Sequence, residues 1–348
     1  MGYVDADAHV IESTASWAHI PQSAKSLTPL LVNQTWGPEK KGNQGRKSNE
    51  YWVMDGRVHV RDANINYEAS AESRELHDAS ARVAHMDQLG IDVQVIYPTV
   101  FLRPALRTRE AEYALVHSYN RWLGEISGHA PDRLRWVVMP PLLSMEKARD
   151  EILWGKEHGA CGIFMRGLEW DKTVGDEYFY PLYEIASELD MPVCFHTGNN
   201  SSTDFDLHFN DTSFTKFVIP AVSAFHSLIE KGVPGKFPNV RWGFVEAGAQ
   251  WIPFVHHHLQ RGMLKRGRRA GNNLLAENRI YVTSDIYEDI PYIMKYVGED
   301  HLMIGTDYGH HDPTSELNAF ARLKERKDLS PEVFAKISGA NARALYGL

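Results

Sequence analysis

Short apolar segments rich in β-branched and aromatic residues alternate with longer segments of helix length along most of this chain. The apolar segments span residues 3–10, 92–99, 133–142, 158–167, 191–198, 239–248, 279–286 and 301–309. Continuous apolar strands joined by helices are typical of parallel sheets that are covered on both faces. Eight such units predict an α/β fold, a (β/α)8 TIM barrel, formed as a single domain by residues 1–348.

Residues 25–75 interrupt this alternation. The stretch 33–50 is polar and rich in glycine, and YWVMDGRVHV at 51–60 contains an Asp-Gly pair that favours a type I′ β-turn. The sequence therefore predicts an insertion after the first strand that contains a β-hairpin. Because barrels of this kind build their active sites at this side, the hairpin is either a lid or a surface decoration.

Composition and charge exclude several classes of function. The formal net charge of −8 argues against nucleic acid or an anionic membrane as a partner. No apolar run approaches the roughly 18–20 residues of a membrane-spanning helix, and the charged first strand is not typical of a signal peptide. The two cysteines require no disulfide framework, so a reducing cytoplasm is the expected compartment.

Ionisable residues lie at the ends of most predicted strands. The first strand carries Asp5, Asp7 and His9 at alternate positions, which places the three side chains on one face. Later strands end in Arg166, His196, Glu246, Asp285 and Asp307. The C-terminal ends of barrel strands converge, and buried carboxylates are costly unless a cation lies among them. The pattern therefore predicts a divalent metal site with oxygen and nitrogen ligands.

Five motifs resemble those of a known family. They are DADAHV, MDQLGIDVQVIYPT, CFHTG, FVEAGAQWIP and MIGTDYG. Together they are similar to the amidohydrolase-related family that includes aminocarboxymuconate-semialdehyde decarboxylase, over about residues 3–348. The resemblance implies a barrel with one divalent ion held by Asp7, His9, His196 and Asp307.

The chain departs from the family pattern at two positions. Asp7 stands where the decarboxylases have His or Glu, and Glu246 stands where many relatives have a His that activates a metal-bound water. Glu246 is therefore a further candidate ligand. A ligand set with this many carboxylate oxygens favours Zn, Mn or Fe. The spacing does not decide whether the site binds one ion or two.

The resemblance and the metal site together predict a metal-dependent hydrolase or decarboxylase that acts on a small organic substrate, carboxylated or aromatic. Asp307 or Glu246 would take a proton from water in the hydrolytic reaction. A non-haem di-iron oxygenase on the same scaffold and a non-catalytic metal-binding protein are the alternatives. A homodimer is expected by family analogy alone.

Other polar residues are candidates for proton transfer. His226, on the helix after the fifth strand, could point into the pocket, although most histidines on helices are structural. His310 and His311 follow the eighth strand directly, and one of them is predicted to donate a proton or contact the substrate. His256, His257 and His258 are consecutive on a helix and cannot form one chelating face.

A further group of residues is predicted to contact the substrate or its surroundings. Arg166 could clamp a substrate carboxylate, or it could form a buried salt bridge instead. Tyr97 and Trp251 flank the expected pocket, as suits an aromatic substrate, although barrels also use such side chains for packing. Glu12, three residues beyond His9, either supports a ligand histidine or is a surface acid.

Overall fold

The computed structural model describes residues 2–33, 40–41, 47–48, 50–267 and 271–348. Most of the polar loop predicted over 33–50 lies outside these residues. Among the described helices, none is long and apolar enough to cross a membrane.

A parallel β-barrel forms the centre of the molecule and confirms the predicted fold class. Its strands are β1 (Val4–His9), β2 (Val93–Tyr97), β3 (Leu134–Val138), β4 (Ala160–Glu169), β5 (Val193–Asn199), β6 (Trp242–Val245), β7 (Ile280–Thr283) and β8 (Leu302–Met303). They pair in chain order, each parallel to the next. Six of them fall inside the segments predicted from apolar runs, and β4 and β5 extend past theirs by two residues and one residue. Strands buried on both faces need continuous apolar sequence, which explains the agreement.

The barrel closes between β8 and β1. The amide of Ala6 donates to the carbonyl of Ile304 at 3.1 Å, and the amide of His9 donates to the carbonyl of Tyr308 at 2.8 Å. Gly305 lies at this junction, where an added Cβ would be 2.3 Å from the Cβ of Asp7. Only glycine permits so close an approach of the last strand to the first.

Helices surround the barrel. The longer ones are Ala79–Leu89, Arg109–Ser127, Ala148–Glu157, Tyr180–Glu188, Ile219–Glu230, Ile252–Lys265, Ile290–Val297 and Ala319–Glu325. Shorter α-helices are Ala71–Arg74, Ser202–Leu207, Val233–Lys236, Leu274–Asn278, Pro331–Ala335 and Asn341–Tyr346, with π-helical turns at Phe214–Val218 and Lys336–Ala340. Short 3₁₀ turns are Thr14–Trp17, Gln22–Leu27, Val100–Leu102, Leu142–Lys147 and Glu177–Phe179. The helix Ala79–Leu89 ends at Gly90, which adopts a left-handed conformation with φ of 71°.

The insertion after β1 contains a three-stranded antiparallel sheet. It consists of Leu30–Asn33, Glu50–Met54 and Arg57–Val60, and the last two form the predicted hairpin. The turn residues Asp55 and Gly56 have φ values of 46° and 75°, as a type I′ turn requires.

Polar contacts dock this hairpin onto the C-terminal side of the barrel. The Asp55 carboxylate accepts hydrogen bonds from the amides of Arg107 and Thr108, which precede the helix Arg109–Ser127. Arg57 forms a two-pronged ion pair with Asp206 at 2.9 and 3.0 Å. The hairpin therefore forms a wall of the molecule on the side where the barrel strands end.

Candidate metal centre and adjoining cavity

Three buried side chains from β1 and β5 meet at the C-terminal end of the barrel. Asp7 Oδ1 lies 3.2 Å from His196 Nε2 and 3.4 Å from His9 Nε2. The two imidazole Nε2 atoms are 3.1 Å apart. Strand periodicity explains the arrangement, since Asp7 and His9 are two positions apart on β1 and face the same side.

Carbonyl oxygens determine which nitrogen of each imidazole faces the cluster. His9 Nδ1 is 3.0 Å from the carbonyl oxygen of Pro98, and His196 Nδ1 is 2.8 Å from that of Thr197. A carbonyl oxygen only accepts, so in the neutral form of each imidazole Nδ1 carries the proton and Nε2 directs a lone pair into the cluster. Two lone pairs and a carboxylate oxygen within 3.4 Å of one another make a site for a cation.

Asp307 completes the cluster from the loop after β8. Its Oδ1 is 3.4 Å from His9 Nε2, and its amide donates to the carbonyl of Asp7 at 2.9 Å. Both carboxylate oxygens are buried and form no hydrogen bond among the described residues, although His310 Nδ1 lies 2.8 Å from Oδ1. Such an oxygen normally binds a donor or an ion, so Asp307 fits a metal ligand.

A second group of acids adjoins Asp307. Glu246, Asp307, His310 and Asp312 each offer an atom within 4.8 Å of the others. His310 Nδ1 lies 2.8 Å from Asp307 Oδ1, and its ring stacks on that of His9 at 3.9 Å. Glu246 accepts a hydrogen bond from the hydroxyl of Thr197 and lies 3.2 Å from His196 Nδ1.

The backbone at these strand ends adopts an uncommon conformation. Glu246 and Asp307 have φ values of 68° and 50°, in the left-handed region that residues with a side chain seldom occupy. Each such residue costs on the order of 1–3 kcal/mol, and such strain concentrates at functional sites. Here it turns two carboxylates toward one point at the end of the barrel.

Mutual repulsion and burial perturb the ionisation of the cluster. Burial, together with Asp312, Glu246 and Asp7, raises the pKa of Asp307 well above its usual range. Burial also raises the pKa of Glu246, to about 8. Burial alone would lower the pKa of His196, but the carboxylates of Glu246 and Asp7 raise it to about 9. A divalent cation would relieve this excess of negative charge, so the residues fit such an ion.

A cavity of about 970 Å³ opens beside the cluster. Its lining includes Thr197, Glu246 and His310 from the cluster, and Asn64 from the insertion. The imidazole of His310 is buried, and its Nε2 is 2.9 Å from the hydroxyl of Thr99. His311 is exposed and lines the same cavity. A cavity of this size accommodates a small organic substrate.

Two polar residues predicted to act at the site have other partners. His226 contacts His258, with His226 Nε2 3.3 Å from His258 Nδ1, and it does not line the cavity. Arg166 forms a buried ion pair with Glu169 at 2.8 Å and donates to the carbonyl of Phe101. The structure therefore brings neither residue to the cluster, and Arg166 adopts the salt bridge that was the alternative.

Neither of the two aromatic candidates lines the cavity. The ring of Tyr97 is buried 4.9 Å from that of His196, and its hydroxyl is 2.7 Å from the hydroxyl of Tyr346. Trp251 packs on Phe225 at 4.9 Å. Glu12 is buried and accepts hydrogen bonds from the amides after β2.

Sequence reasoning missed several residues of the cavity, most of which lie outside the barrel strands. They are Thr99, Arg103, Thr197, Lys216, Asp312 and Thr314. Arg103 lies six positions after the end of β2, in the stretch PTVFLRP. A search for ionisable residues that extended further beyond the strand ends would have found it. Lys216 carries no such signal, since it lies between β5 and the next long helix.

The family model for amidohydrolases matches residues 4–348, so the chain belongs to the amidohydrolase family. Its barrel and its cluster of carboxylates and imidazoles at the strand ends agree with that membership. No curated protein matches the chain.

Solved structures share this fold at low sequence identity. An amidohydrolase from Mycobacterium avium subsp. paratuberculosis K-10 is 19% identical, with 99% of both chains covered and a TM-score of 0.81. The 5-carboxyvanillate decarboxylase of Novosphingobium aromaticivorans DSM 12444, with bound manganese and 3-methoxy-4-hydroxy-5-nitrobenzoic acid, is 21% identical, with 80% and 83% covered and a TM-score of 0.67. The 2,6-dihydroxybenzoate decarboxylase from Rhizobium is 15% identical, with 100% and 99% covered and a TM-score of 0.65.

Proposed function

We propose that this protein is a metal-dependent decarboxylase of small carboxylated aromatic compounds. The observation that carries the proposal is the pair of buried Asp307 oxygens, which form no hydrogen bond among the described residues, beside two imidazoles whose Nε2 lone pairs converge. Two decarboxylases of aromatic acids share the fold, and one of them binds manganese. Asp7, His9, His196 and Asp307 would hold the ion, which when bound would polarise a substrate carboxylate and its neighbouring oxygen.

The protein side chains orient the substrate and move the proton. His310 lies on the cavity wall beside Asp307, with Nε2 held by the hydroxyl of Thr99. Loss of carbon dioxide leaves a carbon that must gain a proton, and in this proposal Asp307 or His310 delivers it. The insertion covers part of the cavity through Asn64, whose side-chain amide donates to Asp312 at 2.9 Å, and this contact helps to exclude water.

Hydrolysis is the second candidate function. Glu246 faces both the cavity and His196, and an ionised carboxylate there could accept a proton from an attacking water. An oxygenase with two irons is a third candidate, because Glu246, Asp307, His310 and Asp312 offer ligands for a second ion.

The test is turnover of the manganese-, zinc- or iron-loaded protein on a panel of hydroxylated benzoates and lactones, with and without oxygen. Anaerobic release of carbon dioxide from a benzoate supports the proposal. Acid release from a lactone would favour the hydrolase, and oxygen consumption with about two bound irons would favour the oxygenase.

Matched variants test the site itself. We expect His196→Ala to lose metal and activity together, because it removes the β5 ligand. Replacement of the exposed His257 by Ala is the control and should change neither. Full activity and full metal content in His196→Ala would show that the cluster is not the catalytic centre.

A further inference from the structure

The wall of the cavity beyond the metal cluster carries two cations. Arg103, on the loop after β2, and Lys216, between β5 and the helix Ile219–Glu230, both line this cavity. Their charges are close enough that Arg103 contributes to lowering the pKa of Lys216, after the larger effect of burial. His310, which contacts Asp307, lines the same cavity.

Asp211 and Glu12 act on Lys216 and Arg103 only through their electrostatic fields. Arg103 Nε is buried without a hydrogen-bond partner, and Nη1 makes only a long contact of 3.5 Å with the carbonyl of Val60. Lys216 Nζ has a single contact of 3.4 Å with the carbonyl of Phe209. Among the described residues, neither side chain forms a salt bridge.

The acids in this region are occupied elsewhere. Asp206 pairs with Arg57, and Asp211 lies 2.7 Å from His208 Nδ1. The Glu12 carboxylate accepts two backbone amides at 2.9 and 3.0 Å. Two neighbouring cations of like charge repel each other, so a wall of this kind is stable when an anion binds to it.

Apolar side chains and an irregular helix also contribute to the wall. Leu102, Phe214, Phe217 and Val218 line the same cavity. Phe214–Val218 forms a π-helical turn, a feature that often marks functional sites, and Lys216 lies on it. The cavity wall therefore combines apolar side chains, two cations and three acids, which are Asp211, Glu246 and Asp312.

We propose that Arg103 and Lys216 bind a second anionic group of the substrate, so that the preferred substrates are aromatic dicarboxylates. One carboxylate would lie at the metal cluster, and the other would accept hydrogen bonds from the guanidinium fork of Arg103 and the ammonium group of Lys216. This inference rests on the proposed function for the role of the first carboxylate. Beyond the proposed function, the inference narrows the substrates to dicarboxylates and assigns their selection to Arg103 and Lys216.

Calorimetric binding to the manganese-loaded protein tests the inference without turnover. The probes are isophthalate and terephthalate, each compared with its monomethyl ester, which has the same shape but one charge fewer. We expect at least one diacid to bind tenfold or more tightly than its ester. Arg103→Gln should reduce that preference at least fivefold and leave the affinity for the ester unchanged. Lys216→Gln should do the same to a smaller extent, because it removes a point charge and not a fork.

Two exposed residues supply matched controls. Arg107→Gln and Lys327→Gln remove the same charges from positions outside the cavity and should leave the preference intact. Arg103→Lys keeps the charge and should retain part of the preference, which guards against a folding defect in Arg103→Gln. If wild-type protein prefers neither diacid, or if Arg103→Gln and Lys216→Gln keep the full preference, the inference is wrong.

The same measurements separate this inference from the proposed function. His196→Ala should lose metal and weaken diacid and ester alike. If the wild-type protein binds no metal but the diacid preference depends on Arg103, the cationic wall is supported and the metal-dependent function fails. If metal and turnover are present but the preference is absent, only the cationic wall fails.

Discussion

Asp307 is the residue whose surroundings depend most on a bound cation. Its carboxylate is buried next to three other acids, and neither oxygen forms a hydrogen bond among the described residues. An uncompensated buried charge is costly, and an amide of the same shape removes that cost.

We therefore expect Asp307→Asn to have opposite effects on stability with and without metal. In the metal-free protein the substitution should raise the free energy of unfolding by about 1–3 kcal/mol. In metal-loaded protein it should reduce bound manganese to well under one ion per chain. Urea unfolding and elemental analysis measure the two effects. A variant that binds as much manganese as wild type would contradict the assignment of Asp307 as a ligand.

Glu112 provides a pH-dependent test away from the metal cluster. Burial raises the pKa of Glu112 to about 8, with smaller opposing effects of the Leu143 amide and Arg166 and a further increase from Glu169. In an unfolded chain a glutamate titrates near 4.3. Between these values the unfolded state loses its proton first, so the free energy of unfolding falls as pH rises from about 4.5 to 8.

Glu112→Gln removes this charge and keeps an acceptor for the Leu143 amide, which lies 2.6 Å from Oε2. Between pH 5 and pH 8, the free energy of unfolding should fall in both proteins. We expect the decrease to be roughly 2–5 kcal/mol smaller in the variant than in wild type. Urea titrations at both pH values provide the comparison. Glu110→Gln, at an exposed position of the same helix, should keep the wild-type slope. Equal slopes for Glu112→Gln and wild type would show that Glu112 is ionised in the folded protein at pH 5.

At the scale of elements, the junction of β8 with β1 leaves no room for a side chain at position 305. An alanine at position 305 would place its Cβ 2.3 Å from the Cβ of Asp7, which is a proposed metal ligand on β1. Overpacking of this kind forces backbone shifts that typically cost about 1–3 kcal/mol.

We expect Gly305→Ala to lower the free energy of unfolding by that amount and to weaken metal binding, because it displaces Asp7. Gly235→Ala is the control, since a Cβ there has no neighbour within 4 Å and the residue lies in the helix Val233–Lys236. The control should be neutral or slightly stabilising. Thermal unfolding and metal titration compare the stability and the metal affinity of the two variants. If Gly305→Ala is as stable as wild type, the β8–β1 junction accommodates a Cβ without a loss of stability.

The elements were predictable from the sequence to the extent that burial imposes a pattern on it. Strands buried on both faces must be apolar throughout, so their positions and their polar ends could be found, including Asp7, His196 and Asp307. The conformation of loops depends on tertiary packing, which local sequence does not encode. Lys216 and Asp312 therefore escaped notice, and the partner of Arg166 could not be chosen between a substrate and Glu169.

At the scale of the whole molecule, the proposed ligands connect β1, β5 and the loop after β8. An ion that binds only the folded state stabilises it by mass action, about 4 kcal/mol at a thousandfold excess over the dissociation constant. For a chain of 348 residues this corresponds to a rise in melting temperature on the order of 5 °C.

We therefore expect a chelator to lower the melting temperature of the purified protein by several degrees and added manganese to restore it. His196→Ala should show no response to either treatment, which serves as the control. Calorimetric scans with and without chelator measure the difference. An unchanged melting temperature in wild-type protein that demonstrably releases metal would mean that the ion does not connect these strands.

The closure of the barrel also bears on when the proposed ion could be acquired. Asp307 follows Asp7 by about three hundred residues in the chain, and the hydrogen bonds between β1 and β8 require both strands. A chain synthesised only as far as β1 would present Asp7 and His9 without the other proposed ligands. If the cluster binds an ion as proposed, we expect the ion to enter only after the barrel has closed.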